Sequence, residues 1–134
     1  MRTVQRGRAG RRPESGRAEI KTFVGESFGY DPGRVVDEIR ETYEFDESCR
    51  GTVPEAMCAF PESADFGDAI RLAVSLGGDS DTIAAIVGGI AEAFYREIPD
   101  GIADFVQMIL GPDLMEETVI PFSQKYFGTK YLRY

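Results

Sequence analysis

Apolar residues recur along this 134-residue chain at helical spacing, and the pattern reads as helix throughout. Asp31-Pro32 starts a helix that runs to about Tyr43, with Val35, Val36 and Ile39 on one face. Thr52, with Glu55 three residues later, has the form of a capping box over a short helix to about Phe60, limited by Pro61. A third helix is expected from Asp65 or Phe66 to Leu76. Asp65-Phe66-Gly67-Asp68 supplies its cap and first-turn acid, and Gly77-Gly78 ends it. The fourth, from Asp81 to about Arg96, is apolar almost all round through Ile83, Ile86, Val87, Ile90 and Phe94, which predicts the central buried helix. Gly88 and Gly89 within it cost about 1 kcal/mol each against alanine and admit a close helix neighbour. Ala103 to Leu110 and Leu114 to about Phe127 complete the set, with Pro121 expected to kink the last. The expected fold class is all-α, a compact multi-helix bundle.

One break in this pattern carries chemistry. Gly77-Gly78-Asp79-Ser80-Asp81-Thr82 links two apolar stretches, Ala69 to Leu76 and Ile83 to Tyr95, and packing asks for no acids there. Carboxylates two residues apart repel, so a hard divalent cation is their natural partner, with the Thr82 hydroxyl as a third oxygen. The chain has no His and only two Cys, so an oxygen-rich site favours Mg²⁺, Mn²⁺ or Ca²⁺ over Zn²⁺. The competing reading is that Asp79 or Asp81 simply N-caps the following helix. One acid suffices for a cap, and the second is then unexplained.

Charge sharpens the picture. Residues 1–19 hold six Arg (Arg2, Arg6, Arg8, Arg11, Arg12, Arg17) and two Glu, which leaves nine basic and 21 acidic residues, a charge of −12, in 20–134. The acidic body argues against nucleic-acid binding and suits a cation site. The Arg-rich head has neither the amphipathic pattern of a transit peptide nor the apolar core of a secretion signal. Residues 1–19 therefore read as a disordered extension, or as upstream sequence misread as coding. A hydrophobic content of 43% excludes wholesale disorder of the rest, and no stretch reaches the about 18 apolar residues of a membrane span. Cys49 and Cys58 are read as reduced thiols in a cytoplasmic protein.

The run from Ser75 through Gly77-Gly78-Asp79-Ser80-Asp81-Thr82 to Tyr95 resembles the C-terminal metal motif of the ADP-ribosylglycohydrolase family, of the dinitrogenase-reductase-activating type. Upstream, Thr52-Val53-Pro54-Glu55-Ala56 followed by Phe60 resembles the same family at the expected distance. The likeness runs from about Tyr30 to Pro99. It implies an all-α hydrolase that holds two Mg²⁺ or Mn²⁺ ions at the base of a cleft and cleaves a bond between ADP-ribose and a side chain or small molecule. By the same resemblance Asp79, Asp81 and Thr82 would be metal ligands, Asp81 the bridging one, with Asp79 and Asp81 the catalytic carboxylates. Phe45, Ser48, Cys49 and Arg50 would border the ADP-ribose groove, joined by Gly78 and Ser80 on the turn itself, although a loop Arg such as Arg50 is equally readable as solvated.

The departures shape the rest of the expectation. The family's N-terminal motifs, a Gly-Asp-containing helix with a nearby Glu and a Thr-Asp-Asp-Thr-like turn, are not found here. Residues 20–134 thus look like the C-terminal part of such a domain, a truncated half with at most partial occupancy of the metal site. The expected partners are an ADP-ribosylated protein or small ADP-ribosyl compound, and a second chain or self-association that completes the domain. Tyr126, Phe127, Tyr131 and Tyr134 would form the surface that docks onto the missing half. The alternative is a non-catalytic helical remnant or interaction module.

Overall fold

The computed structural model describes residues 14–128. Every regular element among them is helical. The chain divides into two units, one ending at Glu97 and one beginning at Ile98.

The first unit holds α1 (Glu14–Phe28), α2 (Val36–Thr42), α3 (Cys49–Glu62), α4 (Phe66–Ser75) and α5 (Ser80–Tyr95). α4 and α5 form a helical hairpin, α3 packs on both, and α1 and α2 lie against α3. The seam is made of small and β-branched residues. Ala69 and Ala73 on α4 face Ile83, Val87 and Ala91 on α5, all with no exposed surface. Alanines four residues apart lay down a smooth ridge, which lets a branched row sit close. Gly88 contributes to the same approach, since a Cβ there would stand 3.2 Å from Ile70 Cδ1. Phe60 on α3 fills the remaining core, edge-on to Phe94 at 5.3 Å between ring centroids.

α5 packs against both α3 and α4, but it is not buried all round. Ile83, Val87, Ala91 and Phe94 form one inward stripe, while Ala85, Gly89 and Ala93 are exposed. Composition cannot distinguish a helix with two apolar faces from one whose second face lacks a neighbour.

The start of α4 follows the expected local chemistry, while α2, which begins at Val36 and not at Asp31-Pro32, and α3 depart from it. Asp65 caps α4, its carboxylate accepting from the Asp68 N–H at 2.8 Å, while Asp68 accepts from the Ala64 N–H at 2.9 Å. α3, however, begins at Cys49 with Ser48 as its cap, Oγ accepting from the Gly51 N–H at 3.2 Å. The Thr52–Glu55 capping box is therefore absent. Thr52 sits inside the first turn and donates to the carbonyls of Asp46 and Ser48, and Glu55 turns elsewhere. α2 lacks a local cap; Glu62 at the far end of α3 accepts from the Val36 N–H at 2.8 Å. A cap supplied from another helix leaves no local sequence signal.

α1 begins inside the stretch expected to be an extension. Arg17 donates from Nη2 to the Tyr95 hydroxyl at 2.9 Å, and its guanidinium lies over the Phe94 and Tyr95 rings. Residues 1–13 lie outside the described residues, and so the character of that head is left as expected.

The second unit holds α6 (Asp100–Ile109), the short α7 (Pro112–Leu114), a π-helical turn (Met115–Val119) and α8 (Ile120–Phe127). The expected kink at Pro121 takes the form of that π turn. Proline offers no N–H to the carbonyl four residues back, Glu117, and its ring crowds it; a widened turn relieves both. α6 has no buried residue, and Phe105 and Ile109 are exposed along with Tyr126 on α8. Tyr131 and Tyr134 lie outside the described residues. No helix among those described is long and apolar enough to cross a membrane.

Candidate active site

The link between α4 and α5 is four residues with unusual backbone. The Gly77 N–H still donates to the Val74 carbonyl at 3.2 Å, and then Gly77 and Gly78 both adopt positive φ, 75° and 57°. Consecutive left-handed residues reverse the chain sharply, and only glycine takes them without strain. α5 then starts with Asp79 at the N-cap, its carbonyl accepting from the Ile83 N–H at 3.1 Å.

The Asp79 side chain makes no capping bond. The neighbouring Asp81 carboxyl raises its pKa from the ordinary aspartate value, while the Thr82 side chain works the other way. Asp81 is lowered, first by the neighbouring Asp79 carboxyl and then by the backbone N–H of Thr82, which donates to Oδ1 at 2.9 Å. Two carboxylates this close repel when both are ionised, and a cation between them relieves that repulsion. Thr82 belongs to the same group of oxygens. Among the described residues, no cluster of three or more His, Cys, Asp or Glu side chains forms. The donor set therefore fits part of the shell of one hard cation and falls short of two.

The segment between α2 and α3 flanks this turn. A Cβ on Gly78 would stand 3.2 Å from the Glu44 carbonyl oxygen and closer still to the Tyr43 ring, and the charge of Glu47 acts on Asp79. Of the expected ligand-contacting residues, Phe45, Ser48, Cys49 and Arg50 are all exposed on this segment and the start of α3. Ser48 has a structural duty as the α3 cap. Asp46 accepts from the Ser48 N–H at 2.7 Å and is lowered by its bonds to Ser48. Gly78 and Ser80 sit on the turn, Gly78 exposed and Ser80 half-buried. Both cysteines are free, Cys49 exposed and Cys58 buried, with burial pushing the Cys58 thiol up.

Sequence reasoning missed two residues here. Tyr43 lies against the turn, and Glu55 is 9% exposed and paired with Arg34 Nη2 at 2.9 Å. Burial acts to lower the Arg34 guanidinium, but the bond to Glu55 and its charge outweigh that, for a net rise. A signal for Glu55 existed. It is the one acid within an apolar run, Val53 to Phe60, and such an acid needs a partner.

The fold and the turn agree with what the whole chain matches. A family model described as ADP-ribosylglycohydrolase matches residues 4–127. The chain belongs to the ADP-ribosylglycohydrolase family. No curated protein and no solved structure matches it. The match begins well ahead of Tyr30, so it takes in α1 and extends through α8 as well as both motifs. Its all-α architecture is that of the family, and its function is of the ADP-ribosylglycohydrolase type.

Proposed function

We propose that this ADP-ribosylglycohydrolase-family chain serves divalent-metal-dependent hydrolysis of an N- or O-glycosidic bond to ADP-ribose, with Asp79, Asp81 and Thr82 as ligands of Mg²⁺ or Mn²⁺. The observation that carries the reading is the Asp79 side chain, which stands at a helix start, makes no capping bond and lies beside a second carboxylate. A purely structural acid at that position would cap. The α5 N-terminus opposes accumulation of positive charge, so two full carboxylates are a sensible excess there.

In hydrolysis the anomeric carbon gains the oxygen of water, and the leaving nitrogen or oxygen takes a proton. A bound divalent ion supplies a lowered pKa for a ligated water and a fixed point for ribose oxygens. This chain's own residues would hold and orient: Asp79 and Asp81, both ionised, keep their oxygens converged. Gly78 lets a ligand approach the backbone. Phe45, Ser48, Cys49 and Arg50 would line the ADP-ribose side, with Arg50 suited to a phosphate. The substrate class is an ADP-ribosylated protein or a small ADP-ribosyl compound, and the setting we propose is cytoplasmic.

Two carboxylates and a hydroxyl hold Mg²⁺ poorly, because that ion keeps its waters until several ligands converge. The same reading therefore calls for a second chain or a second copy to supply the remaining ligands. Because no third acid joins the pair among the described residues, a non-catalytic helical remnant is the second reading.

Calorimetric titration of the full chain with Mn²⁺, then ADP-ribose, separates the two. Metal binding that Asp79→Ala and Asp81→Ala abolish, with helix content retained, supports the hydrolase reading. Metal-dependent activity that survives Asp81→Ala overturns the ligand assignment.

A further inference from the structure

Tyr43 is where the α2–α3 segment meets the acidic turn. It closes α2, its N–H donating to the Ile39 carbonyl at 2.8 Å. Its ring lies against Gly78: a Cβ there would stand 2.5 Å from Cε1 and 3.1 Å from Cδ1. Two adjacent glycines leave the turn little conformational preference of its own, and the like charges that follow tend to open it. A rigid ring packed on Gly78 removes that freedom from one side.

The hydroxyl of the same residue is not what fastens it. Tyr43 Oη is shielded from solvent and has no hydrogen-bond partner among the described residues. The neighbouring Thr52 hydroxyl directs its proton to the carbonyls of Asp46 and Ser48, at 2.8 and 2.9 Å. The Thr52 side chain is nonetheless the polar group that acts on this hydroxyl, while the ring's contact with Gly78 is one of shape.

We propose that Tyr43 is a positioning residue for the Asp79–Asp81 turn, acting through its ring, whose packing on Gly78 holds the two carboxylates at a spacing that can ligate a divalent cation. The cation clause rests on the metal-ligand reading above; the hold on the turn does not. The test uses the full chain and two readouts, Mn²⁺ affinity by calorimetry and amide hydrogen exchange along α5. The variants are Tyr43→Phe, Tyr43→Ala and Ile39→Ala, the last a buried residue of the same helix that serves as a control for lost stability.

Tyr43→Phe should bind Mn²⁺ as the parent does. Tyr43→Ala should lose about tenfold in affinity, the scale of a lost supporting contact at a metal site. Exchange at the Ile83 amide, the first of α5 bonded to the backbone, should rise about tenfold in Tyr43→Ala while Val87 to Ala91 stay protected, a local opening. Ile39→Ala should lower stability without either effect. If Tyr43→Ala does not fold, Tyr43→Leu replaces it, with the same pattern expected. Unchanged exchange at the turn, or the same changes in Ile39→Ala, overturns the proposal. Loss of affinity in Tyr43→Phe also overturns it, by moving the role to the hydroxyl. If the parent takes up no Mn²⁺ while the exchange pattern appears as stated, the metal reading fails and the hold of Tyr43 on the turn stands.

Discussion

Gly77 and Gly78 are neighbours with nearly the same backbone, and alanine should distinguish them sharply. Both have positive φ, so an alanine at either position costs about 1–2 kcal/mol in left-handed strain. The surroundings differ. A Cβ on Gly77 meets nothing within 4 Å, whereas on Gly78 it would stand 2.5 Å from the Tyr43 ring and 3.2 Å from the backbone oxygen of Glu44. The ring can swing only by leaving its seat and the carbonyl can move only with the chain, so overpacking adds about 1–3 kcal/mol. Gly77→Ala should therefore destabilise by about 1–2 kcal/mol and Gly78→Ala by about 2–5 kcal/mol. The entropy that alanine removes from the unfolded chain is common to both and cancels in the difference. Urea unfolding followed by helical circular dichroism measures each loss, with the slope checked for constancy. A third variant closes the argument: in Tyr43→Ala the added cost of Gly78→Ala should fall toward that of Gly77→Ala, because the obstructing ring is gone and only the Glu44 carbonyl remains close. Equal losses at the two glycines, or no coupling to Tyr43, would refute the close packing on which the turn geometry depends.

Further expectations concern charge. Mn²⁺ binds the ionised pair, so its affinity should rise with pH as Asp79, the raised member, ionises and then level; an affinity that is flat there contradicts Asp79 as a ligand. The stability contributions of the two acids oppose each other. Asp79, raised, favours the fold at low pH and loses that contribution as pH rises through its folded value, whereas Asp81, lowered, contributes above its unfolded value and loses it as pH falls through its folded value. Acid-range urea titrations of Asp79→Asn and Asp81→Asn should accordingly differ from the parent with opposite slopes. Glu55→Ala should cost about 1–2 kcal/mol, below the usual loss for a fully buried pair because the Arg34 side chain is 38% exposed, and a cycle with Arg34→Met should show coupling. Arg17→Ala should cost about 1–2 kcal/mol and expose α1 to proteolysis, since it removes both the bond to Tyr95 and the contact with two rings.

α4 and α5 were legible because each carries its own signal, whereas α1, which begins inside the stretch read as an extension, and α2, capped from α3, were not. Asp65 and Asp68 bracket the start of α4, Gly77-Gly78 ends it, and the spacing of Ile83, Val87 and Ala91 marks the inward stripe of α5. The acidic turn was legible for the same reason, since Asp79, Asp81 and Thr82 lie within four residues and require no folding to be neighbours. The family followed from those two short motifs and is the one the whole-chain match gives. The start of α3 was misread because Thr52 and Glu55 satisfy a capping pattern that other contacts claim: Thr52 is held by carbonyls of the preceding loop and Glu55 by Arg34, 21 residues away.

The sequence by itself determined the helical class and the position of the acid-bearing turn, both set within a few residues by backbone preference and side-chain chemistry. Tertiary structure alone decided which glycine of the pair is pinned, that Glu62 caps α2 across 26 residues, and that Tyr43 packs against the turn. Those depend on chain segments brought together only when α3, α4 and α5 close on their small-residue seam, and no local pattern encodes a distance that packing has yet to set.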